Sequence, residues 1–99
     1  MKQNLKVPQD KVADFCRRNH IRRLAFFGSV LRDDFRLDSD IDVLVEFEPG
    51  HVPGLALIRM QAELSALLGH EIDLVTPKFL NRRIRDRVLS EMEVQYVAR

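Results

Sequence analysis

Two short motifs that could do chemistry stand close together in the sequence. Gly28-Ser29 is followed, after ten residues, by Asp40-Ile41-Asp42. A glycine lets backbone N–H groups approach phosphate oxygens closely, and a serine hydroxyl adds a further donor. Asp40 and Asp42 supply the hard oxygen ligands that Mg²⁺ prefers. The pattern therefore indicates a site for a triphosphate together with divalent ions.

A third carboxylate and one arginine extend this candidate site. Two Mg²⁺ ions about 4 Å apart can clamp the attacking and leaving oxygens of an in-line displacement, and Asp40 and Asp42 could bridge such a pair. Asp73 is the candidate for completing one ion's shell and for helping to deprotonate an incoming hydroxyl. Arg32 follows Ser29 by one helical turn, where it could contact phosphate or pair with the nearby aspartates.

The positions of these residues depend on an alternation of helices and strands. The pattern predicts, in chain order, a helix from Pro8 to Arg18, a strand from Ile21 to Phe27, a brief helix from Ser29 through Asp34, a strand from Asp40 to Phe47, a helix containing Leu57 to Leu68, a strand from Glu71 to Thr76, and a last helix opened by Pro77. Period two places Asp40 and Asp42 on one strand face. Leu80, Ile84 and Val88 are predicted to form the buried stripe of the last helix. The fold class is α/β.

Length and composition limit the kind of protein. Ninety-nine residues with 45% hydrophobic and 31% charged side chains predict one domain over residues 1–99, without a second domain to recognise a small substrate. Cys16 is the single cysteine and is expected to be buried packing. No run is apolar enough for a membrane span, so the predicted location is cytoplasmic.

The charge pattern bears on the partner. Seven acids and one base occupy residues 33 to 48, whereas arginines and lysines gather on both sides of that segment. A polarised surface of this kind suits an anionic or acidic partner. Because no aromatic residues interleave with the bases of the last helix, a solvated face is expected there rather than a nucleic-acid site, and contact with a partner protein is the better functional interpretation.

Other site types fit the residues less well. The run that begins at Asp38 imitates an EF-hand loop, but Val43 and Pro49 occupy the positions where that loop needs glycine and glutamate. The Gly-Ser pair lacks the surrounding residues of a hydrolase elbow or a P-loop. His20, His51 and His70 have no metal-ligand spacing and are expected to be solvated or to cap helices.

The Gly-Ser pair, the Asp-x-Asp motif and the later aspartate on a strand together resemble the signature of the nucleotidyltransferase superfamily related to polymerase beta. Arg32, Ser39 before Asp40, the continuation from Val43 to Phe47 and the segment EIDLVTP at 71 to 77 are similar to the minimal nucleotidyltransferase branch. The resemblance covers nearly the whole chain. It implies a small mixed sheet flanked by helices.

The resemblance also implies an activity. Members of that branch are commonly encoded beside a HEPN-domain ribonuclease toxin, and some act as antitoxins by transferring AMP from ATP to a toxin tyrosine. For this chain it implies Mg²⁺-dependent AMP transfer, with Asp40, Asp42 and Asp73 as catalytic and metal-binding residues and Gly28, Ser29 and Arg32 as nucleotide-binding residues. Assembly into a homo-oligomer or hetero-oligomer is compatible with the sequence.

Two alternatives stay open at this stage. The chain could neutralise its partner by binding alone, without catalysis. It could also modify a small molecule such as an aminoglycoside, although enzymes of that kind normally have a further domain for the acceptor.

Overall fold

The computed structural model describes residues 7–31, 40–51 and 53–98, and these ranges contain three α-helices and four strands. The elements, in chain order, are α1 (Gln9–Arg18), β1 (Ile21–Phe27), a 3-10 turn (Gly28–Leu31), β2 (Ile41–Phe47), α2 (Ala56–Leu68), β3 (Ile72–Val75), a second 3-10 turn (Pro77–Phe79), α3 (Arg82–Glu91) and β4 (Glu93–Val97). Among the described residues, no helix is both long enough and apolar enough to cross a bilayer.

The four strands form one sheet in the order β3-β2-β1-β4. β1 pairs antiparallel with both β2 and β4, whereas β2 and β3 are parallel. A parallel pair requires a long crossover, and α2 provides it between β2 and β3. The α/β class and the small mixed sheet with helices are therefore confirmed.

One face of the sheet carries the hydrophobic core. α1 buries Val12, Phe15 and Cys16, and α2 buries Met60, Leu64 and Leu68, each set at helical spacing. These helix residues form one hydrophobic cluster with strand residues on the same face of the sheet. The strand residues include Leu24, Phe26, Ile41, Val43 and Val45. Burying each large apolar side chain stabilises the fold by about 1.5 to 3 kcal/mol. Cys16 is fully buried, as expected.

A bulge in β1 changes which of its side chains face the core. Ile21 and Leu24 both face the core although they are three residues apart, because the register with β2 shifts between Ile21 and Arg23. A bulge of this kind inserts an extra residue into one strand. From Leu24 onward the strand keeps period two toward the turn at Gly28.

The C-terminal third differs from the prediction. Pro77 opens a separate 3-10 turn, and α3 starts later, where the Asn81 side chain accepts hydrogen bonds from the N–H groups of Arg83 (3.0 Å) and Ile84 (3.2 Å). The predicted buried stripe was wrong in part, because Val88 is buried but Ile84 is half exposed and Leu80 precedes the helix in extended backbone. Strand β4 was not predicted.

Candidate active site

Asp42 and Asp73 lie side by side on neighbouring parallel strands. The register of β2 and β3 sets Asp42 opposite Asp73, and adjacent strands run about 4.8 Å apart. The residues on either side of each aspartate are buried, namely Ile41 and Val43 in β2 and Ile72 and Leu74 in β3. Because side chains alternate along a strand, both carboxylates occupy the face away from those core residues. The structure thus brings the two predicted carboxylates together.

Asp40 joins this pair from the residue before β2. It is exposed and stands two positions ahead of Asp42, as the period-two prediction requires. Burial raises the pKa of the half-buried Asp42 carboxyl above its usual value, and the negative charges of Asp73 and then Asp40 raise it further. The three carboxylates therefore repel one another, and a cation between them would relieve that repulsion.

The Gly-Ser turn packs directly against this cluster. Phe27 at the end of β1 is the register partner of Asp42, so Gly28 follows at the level of the carboxylates. Gly28 has φ +74°, and a Cβ built on it would collide with Oδ2 of Asp42 and lie 3.3 Å from Cγ. Only glycine permits both this conformation and this close approach.

The turn itself differs from the predicted short helix. It is a 3-10 turn over Gly28–Leu31, so Ser29 lies within it rather than at its cap, and Val30 anchors it in the core. The predicted continuation through Asp34, together with Arg32, lies outside the described residues. Gly28 lies against Asp42, Ser29 is the next residue of the same turn, and Arg32 stays a prediction.

Two polar side chains of α2 hold the strand that carries Asp73. β3 is an edge strand, and its outward N–H groups need partners other than a neighbouring strand. The Ile72 N–H donates to Oγ of Ser65 at 3.3 Å, and the Leu74 N–H donates to Oε1 of Gln61 at 3.0 Å. These bonds fix the backbone on both sides of Asp73. These two hydrogen bonds were not predicted from the sequence, although the i, i+4 spacing of Gln61 and Ser65 on a core helix was a usable signal.

A hollow opens beside the turn. It has a volume of about 390 Å³ and lies between Phe27, Gly28 and Leu31 on one side and α3 on the other. The wall formed by α3 contains Ile84, Val88 and the ion pair of Arg87 with Glu91, whose Nε and Oε1 atoms are 3.2 Å apart. A group bound at Gly28 would thus have mixed apolar and charged surface next to it.

Two of the three histidines, His20 and His51, are exposed, in line with the expectation of solvated side chains, but they also contact each other. His20 and His51 stack at the opposite end of β1 and β2, next to Glu48. Their distance in sequence concealed this arrangement. The signal was the antiparallel pairing of the two strands, which brings the start of the first to the end of the second.

A Gly-Ser turn at the end of β1, packed against Asp42 of β2 with Asp73 of β3 opposite that aspartate, is suited to hold a phosphate chain and the divalent ions that accompany it. Such a turn and carboxylate pair on a small mixed sheet suit an enzyme that transfers groups from nucleotides. The chain belongs to the nucleotidyltransferase domain family, whose sequence profile matches residues 10–94.

Two relatives make the similarity more specific. A protein of Methanocaldococcus jannaschii named as a protein adenylyltransferase is 34% identical over 88 residues, which are 89% of this chain and 94% of the relative. The protein adenylyltransferase MntA of Thermococcus cleftensis is 40% identical over 73 residues, covering 73% of this chain and 72% of MntA.

Solved structures share the fold. A structure described as a minimal nucleotidyltransferase superimposes with a TM-score of 0.71 at 39% identity and covers 85% of both chains. A toxin-antitoxin structure with AMP-PNP superimposes with a TM-score of 0.74 at 19% identity, covering 94% of this chain and 76% of the other. At that lower identity the likeness concerns the fold alone.

Proposed function

We propose that this chain is a Mg²⁺-dependent protein adenylyltransferase that transfers AMP from ATP to a hydroxyl of a partner protein. The observation that carries the proposal is the contact of Gly28 with Asp42, which stands opposite Asp73. This contact joins a phosphate-sized turn to a carboxylate cluster. The relatives named as protein adenylyltransferases support the acceptor class.

The donor set suits Mg²⁺. Three carboxylates offer only hard oxygen ligands, and the pKa of Asp42 is raised by its burial first and then by the charges of Asp73 and Asp40. Asp40, Asp42 and Asp73 would hold the ion. When bound, Mg²⁺ would neutralise charge on the triphosphate and on the departing pyrophosphate.

The other steps, which are orientation of the triphosphate and removal of the acceptor proton, would depend on residues of the chain. Gly28 and Ser29 would orient the triphosphate so that the α-phosphorus faces the acceptor. The acceptor oxygen forms a bond to the α-phosphorus while the bond from that phosphorus to the bridging oxygen of the β-phosphate breaks. Pyrophosphate leaves with that electron pair, and the acceptor proton passes to Asp73 or to water.

The partner would be a HEPN-type toxin, with a tyrosine hydroxyl as the acceptor, and the chain would then act as an antitoxin. One similar structure is described as a tri-AMPylated Shewanella oneidensis HEPN toxin in complex with MNT antitoxin, at 20% identity and a TM-score of 0.66.

Transfer of label from ATP tests the proposal. The partner is incubated with the chain, Mg²⁺ and ATP labelled at the α-phosphate, and protein-bound label is measured. Asp42→Asn should lose label transfer, whereas Asp10→Asn, an exposed aspartate in the first turn of α1, should retain it. Equal labelling by the wild type and Asp42→Asn contradicts the assignment.

A growth assay separates catalysis from neutralisation by binding alone. The toxin is expressed in cells together with the wild type or with Asp40→Asn, after both chains have been shown to bind it equally. Loss of growth rescue by Asp40→Asn is expected for a catalytic antitoxin. Full rescue by Asp40→Asn would support neutralisation by binding.

A further inference from the structure

A second cluster of ligating side chains lies at the far end of the two central strands. His20 directly precedes β1, whereas Glu48 and His51 follow β2. The pairs Ile21–Phe47 and Phe27–Asp42 mark the two ends of the β1–β2 ladder. At about 3.4 Å per residue, the histidine end is roughly 20 Å from Asp42. The two clusters therefore cannot share an ion.

Hydrogen bonds fix the backbone of this second cluster. The Glu48 N–H donates to the carbonyl of His20 at 2.9 Å, and the His51 N–H donates to the carbonyl of Glu48 at 3.1 Å. The second bond closes a turn through Pro49 and Gly50, whose φ is +87°. Proline followed by glycine with positive φ is typical of a type II turn. The three side chains thus project from backbone of defined geometry.

His20 occupies an unusual conformation. Its φ is +56°, and within the described ranges it is the one residue other than glycine with positive φ. It directly follows Asn19, the C-cap of α1. The position after a C-cap is commonly occupied by glycine or asparagine in the left-handed conformation. A histidine here has a higher backbone energy than glycine but places an imidazole beside Glu48.

The side chains converge. The potential ligand atoms of His20, Glu48 and His51 all lie within 4.8 Å of one another, and Nδ1 of His20 is 3.7 Å from Oε1 of Glu48. The two imidazole rings stack with centroids 3.9 Å apart and planes inclined by 11°. Because the side chains of His20 and Glu48 are 54% and 44% exposed, they have room to rotate.

We propose that His20, Glu48 and His51 form a binding site for a divalent transition-metal ion of the Zn²⁺ type, separate from the carboxylate site. Two imidazoles and one carboxylate are a ligand set that proteins use for Zn²⁺, with a fourth position left for water or another ligand. The nitrogen donors favour Zn²⁺ over Mg²⁺. Binding requires the rings to turn out of their stack so that their lone pairs meet at one point.

An ion at this position would join two segments of the fold. It would link the end of α1 to the turn after β2, in addition to the hydrogen bond between Glu48 and His20. Since the ion would bind the folded chain and find no such site in the unfolded one, it would stabilise the fold.

The test is Zn²⁺ binding to the untagged, metal-free chain, measured by competition with a chromophoric chelator and by the visible spectrum of bound Co²⁺. We expect one site, with a Kd at least tenfold weaker in His51→Gln and in Glu48→Gln. His20→Asn should weaken Zn²⁺ binding to the same extent. Asparagine is chosen because it tolerates the positive φ at that position. His70→Gln, which alters the remaining histidine, is the matched control and should bind as the wild type does.

Two further measurements keep the result unambiguous. Zn²⁺ at one hundred times its Kd should raise the melting temperature by about 13 °C in the wild type, and less in His51→Gln. Asp42→Asn should retain the Zn²⁺ site. The proposal is overturned if His51→Gln binds Zn²⁺ as tightly as the wild type, if Asp42→Asn abolishes binding, or if the wild type shows no site.

Discussion

Replacing Gly28 by alanine tests the coupling between the phosphate turn and the carboxylates. The new methyl group would collide with Oδ2 of Asp42, so either the turn or the carboxylate must move. Both groups belong to the proposed site. The substitution should therefore lower AMP transfer even though it removes no functional group.

Gly69→Ala is a closely matched control. Gly69 has φ +71°, against +74° for Gly28, and a Cβ built on Gly69 meets nothing within 4 Å. Alanine in this left-handed region costs about 1 to 2 kcal/mol at either position. Crowding at Gly28 adds about 1 to 3 kcal/mol unless Asp42 shifts. The two variants should thus share a backbone cost and differ in what happens to Asp42.

The assay compares initial rates of AMP transfer at saturating ATP and Mg²⁺ with the free energy of unfolding. If displacement of Asp42 costs about 3 kcal/mol of barrier, the rate of Gly28→Ala falls by about a hundredfold. Gly69→Ala should stay within about twofold of the wild type while folded. A Gly28→Ala variant that is folded and transfers AMP at the wild-type rate would contradict the proposed coupling between the turn and Asp42.

Three further outcomes are expected. Asp42→Asn should raise the melting temperature of the metal-free chain at pH 7, because burial and neighbouring charges raise the pKa of Asp42 in the folded state. The folded wild type therefore loses stability as the pH rises through and above 3.8, the ordinary pKa of an aspartate. Calorimetry in the presence of a chelator should show that the higher melting temperature of Asp42→Asn disappears below pH 3.8, and a difference that persists there would contradict ionisation of Asp42 as its cause. Gln61→Ala should reduce kcat by about tenfold while leaving the fold intact, because the Leu74 N–H beside Asp73 loses its acceptor. An unchanged kcat in steady-state kinetics would show that the position of Asp73 does not depend on this hydrogen bond. Cys16 should resist thiol reagents at pH 8 until the chain unfolds, since burial raises the pKa of its thiol to about 12; rapid labelling of the native chain would contradict this.

Much of the fold could be predicted because its central elements have strong local signals. β1 has the predicted bounds, and α2 ends at Leu68 before Gly69 in the left-handed conformation. β4 has no such signal: Val94 and Val97 are exposed, and the strand is defined by its pairing with β1 at the sheet edge. Pairing across seventy residues is not visible in a local pattern.

In the candidate site, too, local features could be predicted from the sequence, whereas contacts between strands could not. The common face of Asp40 and Asp42 follows from strand period alone, and the position of Asp73 between two buried residues was equally readable. The approach of Gly28 to Asp42 required the register of β1 against β2. The stacking of His20 on His51 depends on that same register at the other end of the sheet.

The most direct test of the central claim follows the two halves of ATP in a single reaction. The partner's intact mass and the released pyrophosphate are measured after incubation with the chain, Mg²⁺ and ATP. The proposed adenylyl transfer predicts the mass of one AMP for each modified hydroxyl, one pyrophosphate for each AMP, and neither product with Asp42→Asn. A phosphate added to the partner, release of ADP instead of pyrophosphate, or undiminished modification by Asp42→Asn would contradict it.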